Sequence, residues 1–359
     1  MSWVLAIFGF AVLIVLHELG HFTAAKAVGM RVERFALFFP PLLLKVRRGE
    51  TEYGLGAIPL GGYVKITGMN PSEDLPDEVR TRAYYSQPVW KRIVVIAAGP
   101  AVNVVAAFLI LWMLFLVNGT SEPTRNVDRR GLEAPAAAVL RPGDRIVSVD
   151  GKRAGREAIA RQISSHTCPG TPRNGCSATT PAVVVVERAG RQLRFAITPR
   201  YDAEATPPRT RIGFAFRNRP VDTGPVSSAR LSGDAMWQVT KGTISAIARI
   251  FQPEQRKQLS GIVGISEVTH QAFARDLAVA LNLLAIISLS LALINLFPFL
   301  PLDGGHIFWA LVEKIRRRPV PFSVMERAGV VGFALVLMLF FIGLSNDIGR
   351  LQGEGFRLR

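Results

Sequence analysis

The chain has 359 residues, of which 49% are hydrophobic and 19% charged, with a mean hydropathy of +0.27. That is too apolar for an ordinary soluble enzyme and predicts a membrane protein with a sizeable soluble part. The formal charge of +16 does not read as nucleic-acid binding: the Lys and Arg residues are spread along the chain with no basic helix or RNA-binding motif, so anionic lipid is the fitting partner.

Residues 1–28 read as a first membrane span that is retained, since no basic segment precedes the apolar run as it would in a signal peptide. The uncharged stretch from Trp3 runs directly into His17-Glu18-Leu19-Gly20-His21. On a helix, positions i and i+4 share a face, so His17 and His21 can present their imidazoles to one point. Glu18 beside them can take a proton from an activated water. Fourteen residues separate Trp3 from His17, roughly 20 Å at 1.5 Å per residue. The motif therefore lies inside a hydrocarbon layer of about 30 Å, where each ionisable group costs about 2.5–3.5 kcal/mol. Three such groups in five residues need a reason, and a metal such as Zn2+ supplies one.

Residues 29–92 read as a cytoplasmic segment carrying ten Lys and Arg residues. Within it, residues 55–69 are apolar and β-prone but broken by Gly and Pro, which predicts a re-entrant β-hairpin beside the motif. Its edge could take up an unwound chain as an added strand. Residues 70–87 read as a polar, solvated loop. A second span covers 93–117, where Asn103 is an amide that bonds between helices or holds a substrate carbonyl.

Residues 121–200 predict a compact soluble module. Arg141-Pro142-Gly143-Asp144-Arg145-Ile146 with Val149-Asp150-Gly151 reads as turn, strand and turn. A helix over 155–164 and a hairpin over 182–198 follow. The pattern resembles bacterial PDZ domains, which bind an extended chain end as an added strand. Cys168 and Cys176 flank a turn-rich loop that a disulfide could pin if the module lies outside the cytoplasm. Residues 201–276 read as a linker, to about 226, and then an amphipathic helix with Leu231, Met236, Val239, Ile244, Ile247, Ile250 and Phe251 on the membrane or on the module. The third span is 277–299, followed by a cytoplasmic loop over 300–327 that begins Leu300-Pro301-Leu302-Asp303-Gly304-Gly305-His306. Asp303 reads as the third metal ligand, with His306 as its competitor. A fourth span over 328–345 and a tail over 346–359 complete the chain.

Lys314, Arg316, Arg317 and Arg318 make the loop between spans three and four basic, as residues 29–92 are. Both should be cytoplasmic, leaving the two termini and the soluble module outside. The tail residues Arg350, Arg357 and Arg359 weigh against this only weakly.

H-E-L-G-H in the first span and N-L-F-P…L-D-G-G-H after the third together resemble the site-2 protease family of intramembrane zinc metalloproteases. The resemblance is closest to the regulator of sigma-E protease type, here with a single PDZ domain. It implies a polytopic α-helical protein of the bacterial inner membrane, with four transmembrane helices, a re-entrant β element and an inserted extracytoplasmic PDZ domain. It also implies Zn2+ held by His17, His21 and Asp303, Glu18 as the acid/base, and Asn295, Pro298 and Asn103 as substrate contacts. The substrate class implied is a single-span membrane protein, such as an anti-sigma factor already trimmed by a site-1 protease. Remnant signal peptides are the alternative. A non-catalytic PDZ adaptor in the membrane is the reading from another class, and a metal transporter is disfavoured because spans two and four offer almost no polar residues.

Overall fold

A computed structural model describes all residues except 71–72, 130, 154, 206–207, 251, 253–255, 257–258 and 354–359, with backbone alone at 59, 60 and 123. Phe251, Arg357 and Arg359 thus lie outside the described residues, as do residues 71–72 of the polar loop. The chain divides into two units, Met1–Val117 with Gly224–Arg359, and Asn118–Thr223.

In the first unit, four helices are long and apolar enough to cross a membrane: α1 (Ser2–Ala27), α3 (Val89–Asn118), α7 (Leu277–Asn295) and α9 (Phe322–Gln352). A four-residue helix, α2 (Asp77–Arg80), precedes α3. The long helices are apolar around their circumference, and α9 leaves Val330, Phe333 and Phe341 exposed, as lipid-facing helices do. The third span ends four residues earlier than the hydropathy suggests, because Pro298 cannot continue the helix and Leu296 closes it. At its other end the Asp276 carboxylate accepts the N–H groups of Ala278 and Val279. α9 runs past the apolar stretch at both ends, since its polar flanks stay helical.

The 55–69 segment is half of a larger element. β1 (Val32–Arg48) and β2 (Thr51–Ile66) form a two-stranded antiparallel sheet joined at Gly49-Glu50. Residues 34–37 are paired twice, with 62–65 and with 52–55, so the ladder folds back on itself. Among the described residues, the 62–66 run has a strand partner on one edge only. Glu50 ties the turn down, accepting from Lys26 Nζ at 2.6 Å and from Arg82 Nη1 and Nη2 at 2.8 Å each. The Arg82 guanidinium, aided by Lys26, holds the Glu50 carboxyl down at about 2.

Two further helices differ from expectation. α5 (Pro225–Ala248) sets Ala235, Met236 and Val239 against Ala107, Leu111, Ala285 and Leu289 of α3 and α7. It packs on the long helices, because its apolar stripe finds a matching one there. The glycine-broken run near 259–265 opens helix α6 (Ile262–Arg275), whose His270 stacks on Trp3 at 4.3 Å and whose Gly264 N–H donates to buried Asp347 at 2.8 Å. After α7 comes α8 (Asp303–Arg316).

The second unit holds β3 (Thr120–Val127), β4 (Arg145–Val149), α4 (Arg156–Ser164), β5 (Ala182–Arg188), β6 (Arg191–Ile197), β7 (Arg200–Asp202), β8 (Arg209–Arg211) and β9 (Phe216–Val221). Five strands form one sheet in the order β6-β5-β4-β3-β9, and β7 pairs with β8. Ile146, Val149, Val184, Val186 and Ile159 form its apolar core. The expected linker after residue 200 is therefore structured: β9 returns to pair with β3 and closes the unit. Asp144 is 2% exposed and accepts two bonds from Arg188 at 2.7 Å and the Arg141 N–H at 2.8 Å. Burial raises its carboxyl, but the Arg188 guanidinium and the Arg141 N–H outweigh that and hold it below the usual carboxylate range. Asp150 accepts the Val183 N–H at 2.8 Å and so joins the second turn to β5. Cys168 and Cys176 are joined by a disulfide.

Candidate metal centre

His17 and His21 lie one helical turn apart on α1, each 7% exposed. Asp303 is the first residue of α8, after the tight turn that follows α7. That turn depends on the two glycines after Asp303. A Cβ on Gly304 would run into the Leu296 carbonyl, and one on Gly305 into the Leu300 backbone. Two more glycines bring the helices together. A Cβ on Gly20 would meet the Ala98 carbonyl of α3, and one on Gly99 would occupy the place of the His21 imidazole.

The result is a triangle of donor atoms. His17 Nε2 and His21 Nε2 are 3.3 Å apart, and Asp303 Oδ2 is 3.2 Å from the first and 3.3 Å from the second. Zinc bonds of about 2.0–2.1 Å at tetrahedral angles separate donor atoms by about 3.3 Å, so the triangle has the size of a three-ligand zinc face. Asp303 Oδ2 is buried with no hydrogen-bond partner despite both nitrogens nearby. A cation is the group that answers an orphaned carboxylate oxygen facing two imidazoles.

The far side of each ring supports the same reading. His21 Nδ1 donates to the Val95 carbonyl at 2.9 Å, which leaves Nε2 with a bare lone pair. His17 Nδ1 lies 3.2 Å from the side-chain amide of Asn103, which is fully buried and whose Oδ1 has no partner. Amide oxygen and nitrogen are interchangeable in shape. Turning that amide over gives Oδ1 the Nδ1–H of His17 and frees the second Nε2 for a metal. Asn103 is itself fixed, because Ser288 Oγ on α7 donates to its backbone carbonyl at 2.9 Å.

Glu18 is half-buried, and its Cγ lies so close to Gly62 of β2 that a Cβ there would collide with it. The predicted β element thus reaches the acid/base candidate. Asn295, at the end of α7, places its amide 3.5 Å from His17 Nε2. Pro298 is exposed in the turn after α7. His306 is half-buried and does not join the converging donors, which among the described residues are His17, His21 and Asp303.

One feature near the centre is hard to read from sequence. Arg92, at the start of α3 and 9% exposed, makes a two-bond pair with Glu313 of α8 at 2.9 and 2.6 Å. It anchors the helix that carries Asp303. A charged residue just inside an apolar helix was the available signal.

The sequence profile of peptidase family M50 matches residues 5–339. The chain is 34% identical over 397 residues to the zinc metalloprotease Rip1 of Mycobacterium bovis (strain BCG / Pasteur 1173P2), covering 96% of this chain and 94% of that one. It is 30% identical over 371 residues to a protein of Rhizobium meliloti (strain 1021) provisionally named a zinc metalloprotease, covering 97% and 96%. A similarly named protein of Campylobacter jejuni is 29% identical over 354 residues, covering 95% and 92%. With a zinc-sized His-His-Asp centre at the junction of apolar helices, the chain belongs to peptidase family M50 and is a membrane zinc metalloprotease of the site-2 protease type.

Proposed function

We propose that the protein hydrolyses peptide bonds inside the transmembrane segments of single-span membrane proteins. The observation that carries this is the placement of the donor triangle on α1 and α8, with His17 and His21 buried among apolar helices rather than in an open cleft. Zinc held by His17, His21 and Asp303 would supply Lewis-acid activation of water and of the scissile carbonyl. Glu18 takes a proton from the attacking water and delivers it to the leaving amide nitrogen. Asn295 is near enough to hold the scissile carbonyl, and Pro298 shapes the turn behind it. Asn103, with no exposed surface, serves by orienting His17 rather than by touching substrate. A helical substrate must unwind to offer its carbonyl, and the unpaired edge of the 62–66 run, next to Glu18, suits an added strand.

The basic loops over 29–92 and 300–327 support a centre toward the cytoplasm and the unit Asn118–Thr223 outside. The Cys168–Cys176 disulfide supports that side for this unit. We read the unit as a PDZ-type module, on its P-G-D-R-I turn and its open groove beside α4. The substrate class that fits is an anti-sigma factor already shortened by a site-1 protease, with remnant signal peptides as the second class. A PDZ adaptor without catalysis would not need three converging donors.

The test is Glu18→Gln in the full chain. It should keep its zinc and lose cleavage of a single-span substrate in reconstituted membranes. Undiminished cleavage by that variant would sink the mechanism.

A further inference from the structure

The second unit carries a groove of about 1190 Å3 beside α4, larger than the roughly 300–1,000 Å3 of small-molecule sites. Its floor is apolar, with Ile159 and Ile163 of α4 facing Phe214 and Phe216. Its wall opposite α4 is the backbone that runs from β8 into β9, bent at Gly213. The carbonyls of Ile212, Gly213 and Ala215 are bonded at 2.8 Å by the N–H groups of Ala136, Glu133 and Asp128. Phe214 lies between Gly213 and Ala215, and among the described residues its own N–H and carbonyl have no main-chain partner. That leaves main-chain hydrogen-bonding groups open along an elongated groove, where an extended peptide can pair with them.

The rim has one sign of charge. Arg125, Arg156, Arg161, Arg209 and Arg211 line the groove, against a single Glu157. Arg211 is spoken for by Asp202 at 2.8 Å, and Arg156 lies over the Phe216 ring at 5.3 Å. Arg125, Arg161 and Arg209 are exposed and make no ion pair among the described residues. Clustered unpaired guanidiniums around a low-dielectric floor focus a positive potential into the groove. They also offer forked donors to carboxylates.

From this we infer that the groove binds an extended peptide segment bearing acidic side chains, and that the unpaired arginines select it over neutral or basic segments. The inference rests on reading the unit as an extended-chain binder and adds the chemistry of what it takes. An anionic lipid surface would use the arginines but not the enclosed apolar floor or the open Phe214 backbone, so the peptide is the better fit.

The test uses the full chain in zwitterionic nanodiscs, with fluorescent peptides of one shared apolar C-terminal sequence preceded by Glu, Ser or Lys residues. The Glu peptide should bind tightest, and its affinity should fall with added salt. Arg161→Ala with Arg209→Ala should weaken it by about fivefold, the order expected of two exposed charge pairs, and leave the Ser peptide unchanged. Arg161→Glu with Arg209→Glu should turn the preference toward the Lys peptide. Equal binding of all three peptides would overturn the acidic selectivity while leaving the extended-chain groove standing. No binding of any peptide would overturn both. An acidic preference that survives the double reversal would move the site elsewhere. Arginine-dependent binding to vesicles of anionic lipid without peptide binding would replace the peptide by a membrane surface.

Discussion

Asn103→Ala tests the metal centre where the structure makes its least obvious claim. The residue is fully buried, its amide is 3.2 Å from His17 Nδ1, and its Oδ1 lacks a partner. With a metal on Nε2, Nδ1 must carry the proton, and among the described residues the Asn103 amide is the group placed to accept it. Losing such an outer partner costs about 10–100-fold in metal affinity, or about 1.4–2.8 kcal/mol. The helix contact should survive, because Ser288 bonds the backbone carbonyl of Asn103 and not its side chain. Zinc affinity of the purified chain, measured by chelator competition, should therefore fall by that factor with helix content unchanged. The visible spectrum of the cobalt-substituted protein should shift as His17 loses its orientation. Asn103→Asp keeps an acceptor and removes both donors, so it should hold zinc better than Asn103→Ala. Unchanged affinity in the alanine variant, or an aspartate variant weaker than alanine, would refute the flipped amide and the tautomer built on it.

Gly99→Ala puts a methyl where the His21 ring sits and should lower bound zinc to a minor fraction, read by elemental analysis on folded protein; full occupancy would contradict the close approach. Arg92→Ala strands the half-buried Glu313 carboxylate and should cost about 1.5–3 kcal/mol, the range for hydrogen bonds to charged groups, seen as a lower thermal midpoint in detergent. Arg92→Ala with Glu313→Leu should recover part of that loss. In the unit Asn118–Thr223, the lowered carboxyl of Asp144 stabilises the fold fully above the unfolded value of about 3.9. That stabilisation is lost as pH falls toward the lower folded value. Asp144→Asn should therefore weaken the unit at neutral pH and flatten its acid unfolding limb, followed by hydrogen exchange of β4 and β5 in the full chain.

The parts legible in the sequence were those where chemistry restricts residue type. Only a few side chains bind zinc, so His17, His21 and Asp303 stood out against apolar surroundings, and the long apolar helices followed from length alone. The β1 strand was hidden for a physical reason. Phe38-Phe39-Pro40-Pro41-Leu42 neither alternates nor lacks proline, and the strand on either side of it is held by its pairing with β2, doubled at residues 34–37. β9 was hidden by Arg and Pro residues that read as linker, yet it sits at the sheet's edge, where both are tolerated. Helix α5 was visible as an amphipathic stripe, but a stripe does not say which partner it meets.

What completes the metal centre is mostly backbone, and backbone carries no residue label. The Val95 carbonyl fixes the His21 tautomer, the Ala98 carbonyl fills the space above Gly20, and the Leu296 carbonyl fills the space above Gly304. In each case the sequence shows only the glycine or histidine on the other side of the contact. This changes how H-E-L-G-H is read. Its Gly20 is not a spacer between ligands but the point where α3 comes close enough to lend a carbonyl to one imidazole and an amide to the other. The two histidines of α1 become a metal site only when α3 is seated there. A larger residue at position 20 should therefore disable both histidines while leaving each of them in place on its helix.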